Sequence, residues 1–176
     1  MDPELIRRLL PRFKRFAGMA SIVLVVAGVG TYAAARMNPG PAQPIPFSHR
    51  LHAGKKDISC FFCHSDADRS SHAGMPAVEK CLLCHQVIIP DFGPIQPLRE
   101  ARLAGKGVPW VRVNVVPDFV YFNHQIHLAR GFDCGRCHGD VKQMDRIHKV
   151  NRMDMAFCVN CHQQNGASTD CWVCHR

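Results

Sequence analysis

Five times in 176 residues the chain reads Cys-x-x-Cys-His: Cys60/Cys63/His64, Cys81/Cys84/His85, Cys134/Cys137/His138, Cys158/Cys161/His162 and Cys171/Cys174/His175. These motifs use all ten cysteines. Two thiols three positions apart, followed at once by an imidazole, can form two thioethers to the vinyl groups of a haem and place a proximal ligand on its iron. Zinc ribbons consume Cys-x-x-Cys pairs two at a time, so five pairs leave one over. A redox dithiol or a disulfide framework does not need a histidine after each pair. Histidine is 11 of 176 residues, so its presence after all five pairs by chance is on the order of one in a million. The cofactor expected is five haem c.

Each proximal histidine leaves the opposite side of its iron to be filled. The remaining histidines are His49, His52, His72, His124, His127 and His148. His49/His52 and His124/His127 are spaced i, i+3, one helical turn apart on a shared face. Two imidazoles so placed cannot serve one iron, but they can serve two neighbouring ones. These four are the expected distal ligands. For the fifth, His72 and His148 lie between paired motifs, and Met144 and Met155 lie close to motifs. Methionine more often fills gaps than binds metal, yet a His/Met iron has a raised potential. Met144 or Met155 is preferred, with an open five-coordinate iron as the remaining option.

The elements that must position these groups form a repeat. Phe47-Ser-His49-Arg-Leu-His52 precedes the first two motifs, and Phe122-Asn-His124-Gln-Ile-His127 precedes the next two. The first histidine of each pair stands 11 and 10 residues before its motif. Residues 47–85 are read as a first two-haem unit, 122–162 as a second and 163–176 as a fifth motif appended. Between the units, residues 86–121 carry no haem signature and are assigned to packing. A short helix is expected over residues 94–106, ended by Gly105 and Gly107. A short β-branched strand is expected over residues 108–116. About 28 residues per haem is too little for an ordinary core. The expected fold is therefore a multihaem cytochrome c, mostly α with little regular structure, a haem-packed core and one N-terminal transmembrane helix.

That helix is read over residues 17–36, where no charge occurs from 17 to 35. Nineteen residues at 1.5 Å each nearly span a hydrocarbon core of about 30 Å. A cleaved signal peptide with Ala33-Ala34-Ala35 as its site is the alternative, but the run exceeds a usual h-region. Residues 1–16 form a basic segment, broken or kinked at Pro11. Its five Lys/Arg side chains put the N-terminus in the cytoplasm by the positive-inside rule. The chain is thus expected in the inner membrane, single-pass, with its haem domain on the periplasmic face. Residues 37–46, rich in proline, are read as a semi-rigid spacer.

The net charge of +8 divides evenly: residues 1–36 carry six bases and two acids, and the rest sixteen and twelve. The first share is topogenic, and about ten haem propionates would offset the second. Nucleic acid is therefore not an expected partner.

The chain resembles the membrane-anchored pentahaem cytochrome c subunit of alternative complex III, a bacterial quinol oxidoreductase. The stretches that carry the resemblance are Pro46-Phe-Ser-His-Arg-Leu-His52, Ala73-Gly-Met-Pro76, Val108-Pro-Trp-Val-Arg-Val113, Pro117-Asp-Phe-Val-Tyr-Phe-Asn-His124 and Met155-Ala-Phe-Cys-Val-Asn-Cys-His162. The multihaem subunit of quinone reductase complexes is related and carries a sixth haem, where this chain has five motifs. The resemblance implies an electron carrier without a catalytic site of its own. Its implied partners are a polytopic quinol-oxidising membrane subunit, an iron–sulfur subunit, a monohaem cytochrome subunit, membrane lipid and a soluble periplasmic acceptor. It matches His49, His52, His124 and His127 to distal-ligand positions and Met144 and Met155 to recurrent methionines; His72 and His148 fall where the pattern does not require histidine. Two other functions stay open: a stand-alone membrane-anchored quinol dehydrogenase, and a multihaem enzyme with an open haem.

Overall fold

The computed structural model describes residues 3–36 and 40–175, with side chains in the first helix from residue 16 to residue 32. The chain divides into two compact units, Met1–Asn38 and Pro39–Arg176. The first is helix α1, Pro3–Arg36. The helix runs through Pro11 without the expected break. One missing donor removes a single rung of a 34-residue ladder, which the neighbouring turns sustain. Ser21 donates to the Ala17 carbonyl (2.9 Å) and Thr31 to that of Gly28 (3.0 Å), so both hydroxyls are satisfied within the helix. Among the described residues, no helix is long and apolar enough to cross a membrane. The expected anchor, residues 17–36, extends past the described side chains, and the basic side chains of residues 1–15 also lie outside them.

The second unit is built of short helices joined by irregular chain. They are α2 (Cys60–Cys63), α3 (Val78–His85), α4 (Gln96–Leu103), α5 (His124–Ala129), α6 (Cys134–His138), α7 (Met155–Gln164) and α8 (Cys171–Cys174). A π-turn covers Arg50–Lys55, and 3₁₀ turns cover Gly93–Ile95 and Val141–Gln143. Local signals place the motif helices. Ser59, Asp133 and Asp154 cap α2, α6 and α7 by accepting from Phe61 N (3.3 Å), Arg136 N (3.1 Å) and Phe157 N (3.0 Å). Asn123 caps α5 through Ile126 N at 3.3 Å.

The apolar core is small and lies to one side. Ile45, Val78, Leu82, Ile95 and Leu98 form its cluster, flanked by Cys81, Ala101, Val108 and Trp110. It joins α3, which carries the second motif, to α4. Among the described residues only Ala67 and Met144 are other buried apolar side chains. Burial of a large aliphatic side chain contributes about 1.5–3 kcal/mol. Seven such residues fall far short of the ordering entropy of so long a segment.

Three expectations change. Residues 108–116 are irregular, with a bend at residues 113–114, and form no strand; the sole bridge among the described residues joins Val120 and His175. The reason is that Gln43 takes the place of a partner strand. Its Nε2 donates to the Val111 carbonyl and its Oε1 accepts from the Val111 amide, both at 3.0 Å. The spacer assigned to residues 37–46 is likewise not free over its described part, since Gln43 is tied to Val111 and Ile45 enters the core. Gly40, at φ +71°, passes so close to the Ile147 carbonyl that a Cβ would collide with it. The helix read over 94–106 is shorter, Gln96–Leu103, and follows a 3₁₀ turn because Pro94 and Pro97 can only open a helix.

Candidate haem centres

The two Phe-x-His-x-x-His segments adopt one side-chain arrangement on different backbones. Phe47 stacks on His52 (centroids 4.4 Å apart, 22°) and meets His49 edge-on (4.9 Å, 88°). Phe122 stacks on His127 (4.4 Å, 28°) and meets His124 edge-on (4.8 Å, 88°). The second pair begins α5, as the i, i+3 spacing implies. The first does not lie on an α-helix: His49 precedes the π-turn that contains His52. Gly54 allows that turn to approach the Lys142 carbonyl, where a Cβ would not fit. Each phenylalanine orients two imidazoles at once, a role the sequence pattern marked only as a repeated residue.

Three of the four paired histidines each face a different motif histidine, and His49 lies near His64. His52 faces His85 at 6.1 Å, His124 faces His138 at 6.4 Å with rings 8° from parallel, and His127 faces His162 at 6.1 Å. Burial, and next the proximity of His64 and then His52, push the pKa of His49 down to about 4, so it is neutral at physiological pH. Burial likewise lowers the pKa of His138, with His124 and His64 adding to the effect. Two imidazoles on opposite sides of one metal, each nitrogen about 2 Å from it, put their ring centres about 6 Å apart. The three measured separations match that arrangement.

The ring tautomers match it too. Nδ1 of His64 faces the Gly74 carbonyl (2.8 Å), that of His85 the Ile88 carbonyl (3.1 Å) and that of His162 the Ser168 carbonyl (2.6 Å). Nδ1 of His52 faces the Ser48 carbonyl (2.9 Å), that of His124 the Ser71 carbonyl (2.8 Å) and that of His127 the Asn123 carbonyl (2.7 Å). A carbonyl only accepts, so each Nδ1 carries the proton and each Nε2 keeps a lone pair for a metal. His49 Nδ1 is buried without a partner. Donor type, pairing and tautomer therefore fit haem iron held between two imidazoles.

The fifth motif differs. His175 packs against the Phe119 ring (5.8 Å) and its Nδ1 lies 3.3 Å from the Phe119 carbonyl. No histidine ring pairs with it among the described contacts. Met144 is buried, and its carbonyl accepts from Arg50 N (2.9 Å), beside the first histidine pair. Met155 is 70% exposed at the start of α7. His72 is exposed next to Ser71, and His148 is half-buried with Nδ1 3.3 Å from the Arg146 carbonyl.

Thiol contacts give the motifs an order in space. Burial raises the pKa of Cys63, Cys81, Cys134, Cys137 and Cys158, and other motif thiols add to it. Cys81 and Cys84 of the second motif act on or with Cys63 of the first. Cys134 of the third neighbours Cys60 of the first. Cys161 of the fourth neighbours Cys137 of the third, and Cys174 of the fifth neighbours Cys158 of the fourth. The second motif thus adjoins the first, the first the third, the third the fourth, and the fourth the fifth. Backbone contacts agree: His124 N and Gln125 N donate to the Ser71 and Ser70 carbonyls (3.3 and 3.2 Å), joining the units between the first and third motifs. Asn151 Nδ2 donates to the Cys137 carbonyl at 2.8 Å, holding the approach to the fourth motif against the third.

Haem-bearing motifs lined up in this way define a multihaem cytochrome c, an electron carrier. The model for cytochrome c7 and related cytochromes c matches residues 120–176, the second unit and the fifth motif. The chain is also similar to the multihaem cytochrome c subunit of menaquinone reductase from Nitratidesulfovibrio vulgaris (strain Hildenborough). The two are 30% identical over 161 residues, covering 76% of this chain and 77% of that protein. The chain belongs to this family of multihaem cytochrome c subunits.

Proposed function

We propose that the chain is the pentahaem electron-carrying subunit of a membrane quinol oxidoreductase of the alternative complex III type. When bound, haem c supplies a one-electron Fe(III)/Fe(II) couple. The cysteine pairs fix five such groups covalently, and His64, His85, His138, His162 and His175 are their proximal ligands. His49, His52, His124 and His127 are the distal ligands of the first, second, third and fourth motifs respectively. The observation that carries this reading is the set of three imidazole pairs 6.1–6.4 Å apart. For His52, His85, His124, His127 and His162 a backbone carbonyl accepts from Nδ1 and so leaves Nε2 free to bind iron.

For the fifth site we assign Met155 over Met144, His72 and His148. Met155 lies three residues before Cys158, hence on the same face of α7, and Cys158 neighbours Cys174 of the fifth motif. Met144 is tied instead to the turn of the first pair, where imidazoles already complete the sites. In this reading α1 anchors the chain in the inner membrane with the haem unit on the periplasmic side. The partners are a polytopic quinol-oxidising subunit, an iron–sulfur subunit, a monohaem cytochrome and a soluble periplasmic acceptor.

The similarity to a menaquinone reductase subunit favours a second reading, in which the same ordered centres carry electrons toward a quinone. Purification of the full chain from native membranes in mild detergent, with mass spectrometry, tests the assembly. Co-purification of the polytopic, iron–sulfur and monohaem subunits is expected. A chain that purifies alone and reduces its own haems with a quinol analogue would overturn the proposal in favour of a stand-alone dehydrogenase. In the intact complex, haem reduction by quinol supports the first direction, and quinone reduction by a reduced periplasmic cytochrome the second.

A further inference from the structure

Residues 108–121 carry no haem motif, yet they reach the iron ligands of two motifs. The Phe119 carbonyl faces His175 Nδ1, and the Tyr121 amide donates to the Cys174 carbonyl at 2.7 Å. Five residues before Phe119, the Asn114 amide lies 3.0 Å from His138 Nδ1. Among the described proximal histidines, His138 is the one whose Nδ1 meets a side chain rather than a backbone carbonyl.

An amide can face an imidazole nitrogen in two ways. If Nδ2 donates to Nδ1, the ring proton sits on Nε2 and blocks the metal, while Asn114 Oδ1 stays buried without a partner. If the amide is turned so that Oδ1 accepts from Nδ1–H, the amide nitrogen takes the partnerless place and Nε2 is free for the metal. Only the second is compatible with His138 as a ligand, and it matches the tautomer of the other proximal rings. The near-parallel His124 ring lies 6.4 Å from that of His138, the separation that two imidazoles on one iron would have.

We infer that Asn114 is a positioning residue for the third haem: its Oδ1 fixes the His138 tautomer and sets the electron density that the ring gives to the iron. The inference rests on His138 being a haem ligand. Its physical consequence follows from acceptor strength. A stronger acceptor makes the imidazole a better donor and favours Fe(III); loss of the acceptor favours Fe(II). The third motif lies in the middle of the spatial order, so this residue tunes the one centre that joins the two units. Asparagine makes that centre adjustable by mutation in a way that a backbone carbonyl does not.

The test is a pair of opposite substitutions in the full chain, Asn114→Asp and Asn114→Leu, read by potentiometric titration with low-spin EPR and by haem count from intact mass. Asp should lower and Leu should raise the potential of a single haem. Each shift is expected on the order of tenfold in its equilibrium, or about 59 mV for a one-electron couple. The other four haems should not move. Shifts of the same sign in both variants, or shifts spread over several haems, would show a merely structural role and overturn the inference. A wild-type mass short of five haems would instead overturn the haem reading itself, so the two failures are distinguishable. If the Leu variant does not fold, Asn114→Asp alone still decides: an unchanged potential refutes the proposal.

Discussion

Removing the third haem should cut the chain of centres into two equal halves. The perturbation is Cys134→Ala with Cys137→Ala, which leaves His138 in place but removes both covalent anchors. The third motif lies between the first, through Cys60 and Cys134, and the fourth, through Cys137 and Cys161. The second motif neighbours the first, and the fifth neighbours the fourth. Loss of the third therefore strands two haems on each side. In a stopped-flow experiment with the intact complex and quinol, half of the remaining absorbance change should stay fast and half should become slow. Removing a terminal haem, by Cys171→Ala with Cys174→Ala, should leave no such split among haems one to four. Intact mass must show four haems in each variant. Single-phase reduction of all four haems in the third-motif variant would refute the linear order. NMR-monitored redox titration of the unaltered protein supplies a check free of mutation, because redox interaction should be strongest between motifs that are neighbours in this order.

Other consequences follow from the same geometry. Phe122→Leu removes the ring that orients His124 and His127, so a loss of about 0.5–1.5 kcal/mol is expected in chemical denaturation, with broadened low-spin EPR from two haems rather than one. Leu82→Ala opens a cavity at a residue 2% exposed in the apolar cluster; the expected destabilisation is about 2–5 kcal/mol by denaturant midpoint, with the haem count unchanged. Met155→Leu should convert one low-spin haem to a high-spin signal in EPR, whereas Met144→Leu should leave spin states alone; the reverse result would move the fifth ligand to Met144. Gly40→Ala combines φ +71° with a collision at the Ile147 carbonyl, and should cost about 1–3 kcal/mol, whereas a free spacer would tolerate it.

Much of the site was legible because haem attachment is written locally. Cysteine spacing and the adjacent histidine declare a motif without reference to the fold. The breaker Gly105 likewise acts within a turn of where it stands. The inter-unit segment was misread because its partners are distant in sequence. Nothing near Val111 announces that Gln43, 68 residues away, will complete its hydrogen bonds and remove the need for a strand. Asn114 looks like any loop asparagine until His138, 24 residues on, is brought against it. The proline-rich stretch was read as a spacer from composition, but Ile45 within it is drawn into the core by apolar burial.

The sequence by itself carries the chemistry as pattern: five Cys-x-x-Cys-His motifs of the haem c attachment type and two histidine pairs at i, i+3. It also determined the two-plus-two-plus-one organisation, because repeats and spacings are properties of the chain alone. Only the tertiary structure decided which imidazole faces which motif, and that the first motif rather than the second adjoins the third. It alone placed the hydrogen-bond acceptors behind the ligands. The physical reason is that axial pairing and motif adjacency depend on distances of a few ångströms between segments up to tens of residues apart, and such distances are set by how short, capped helices pack, not by local propensity.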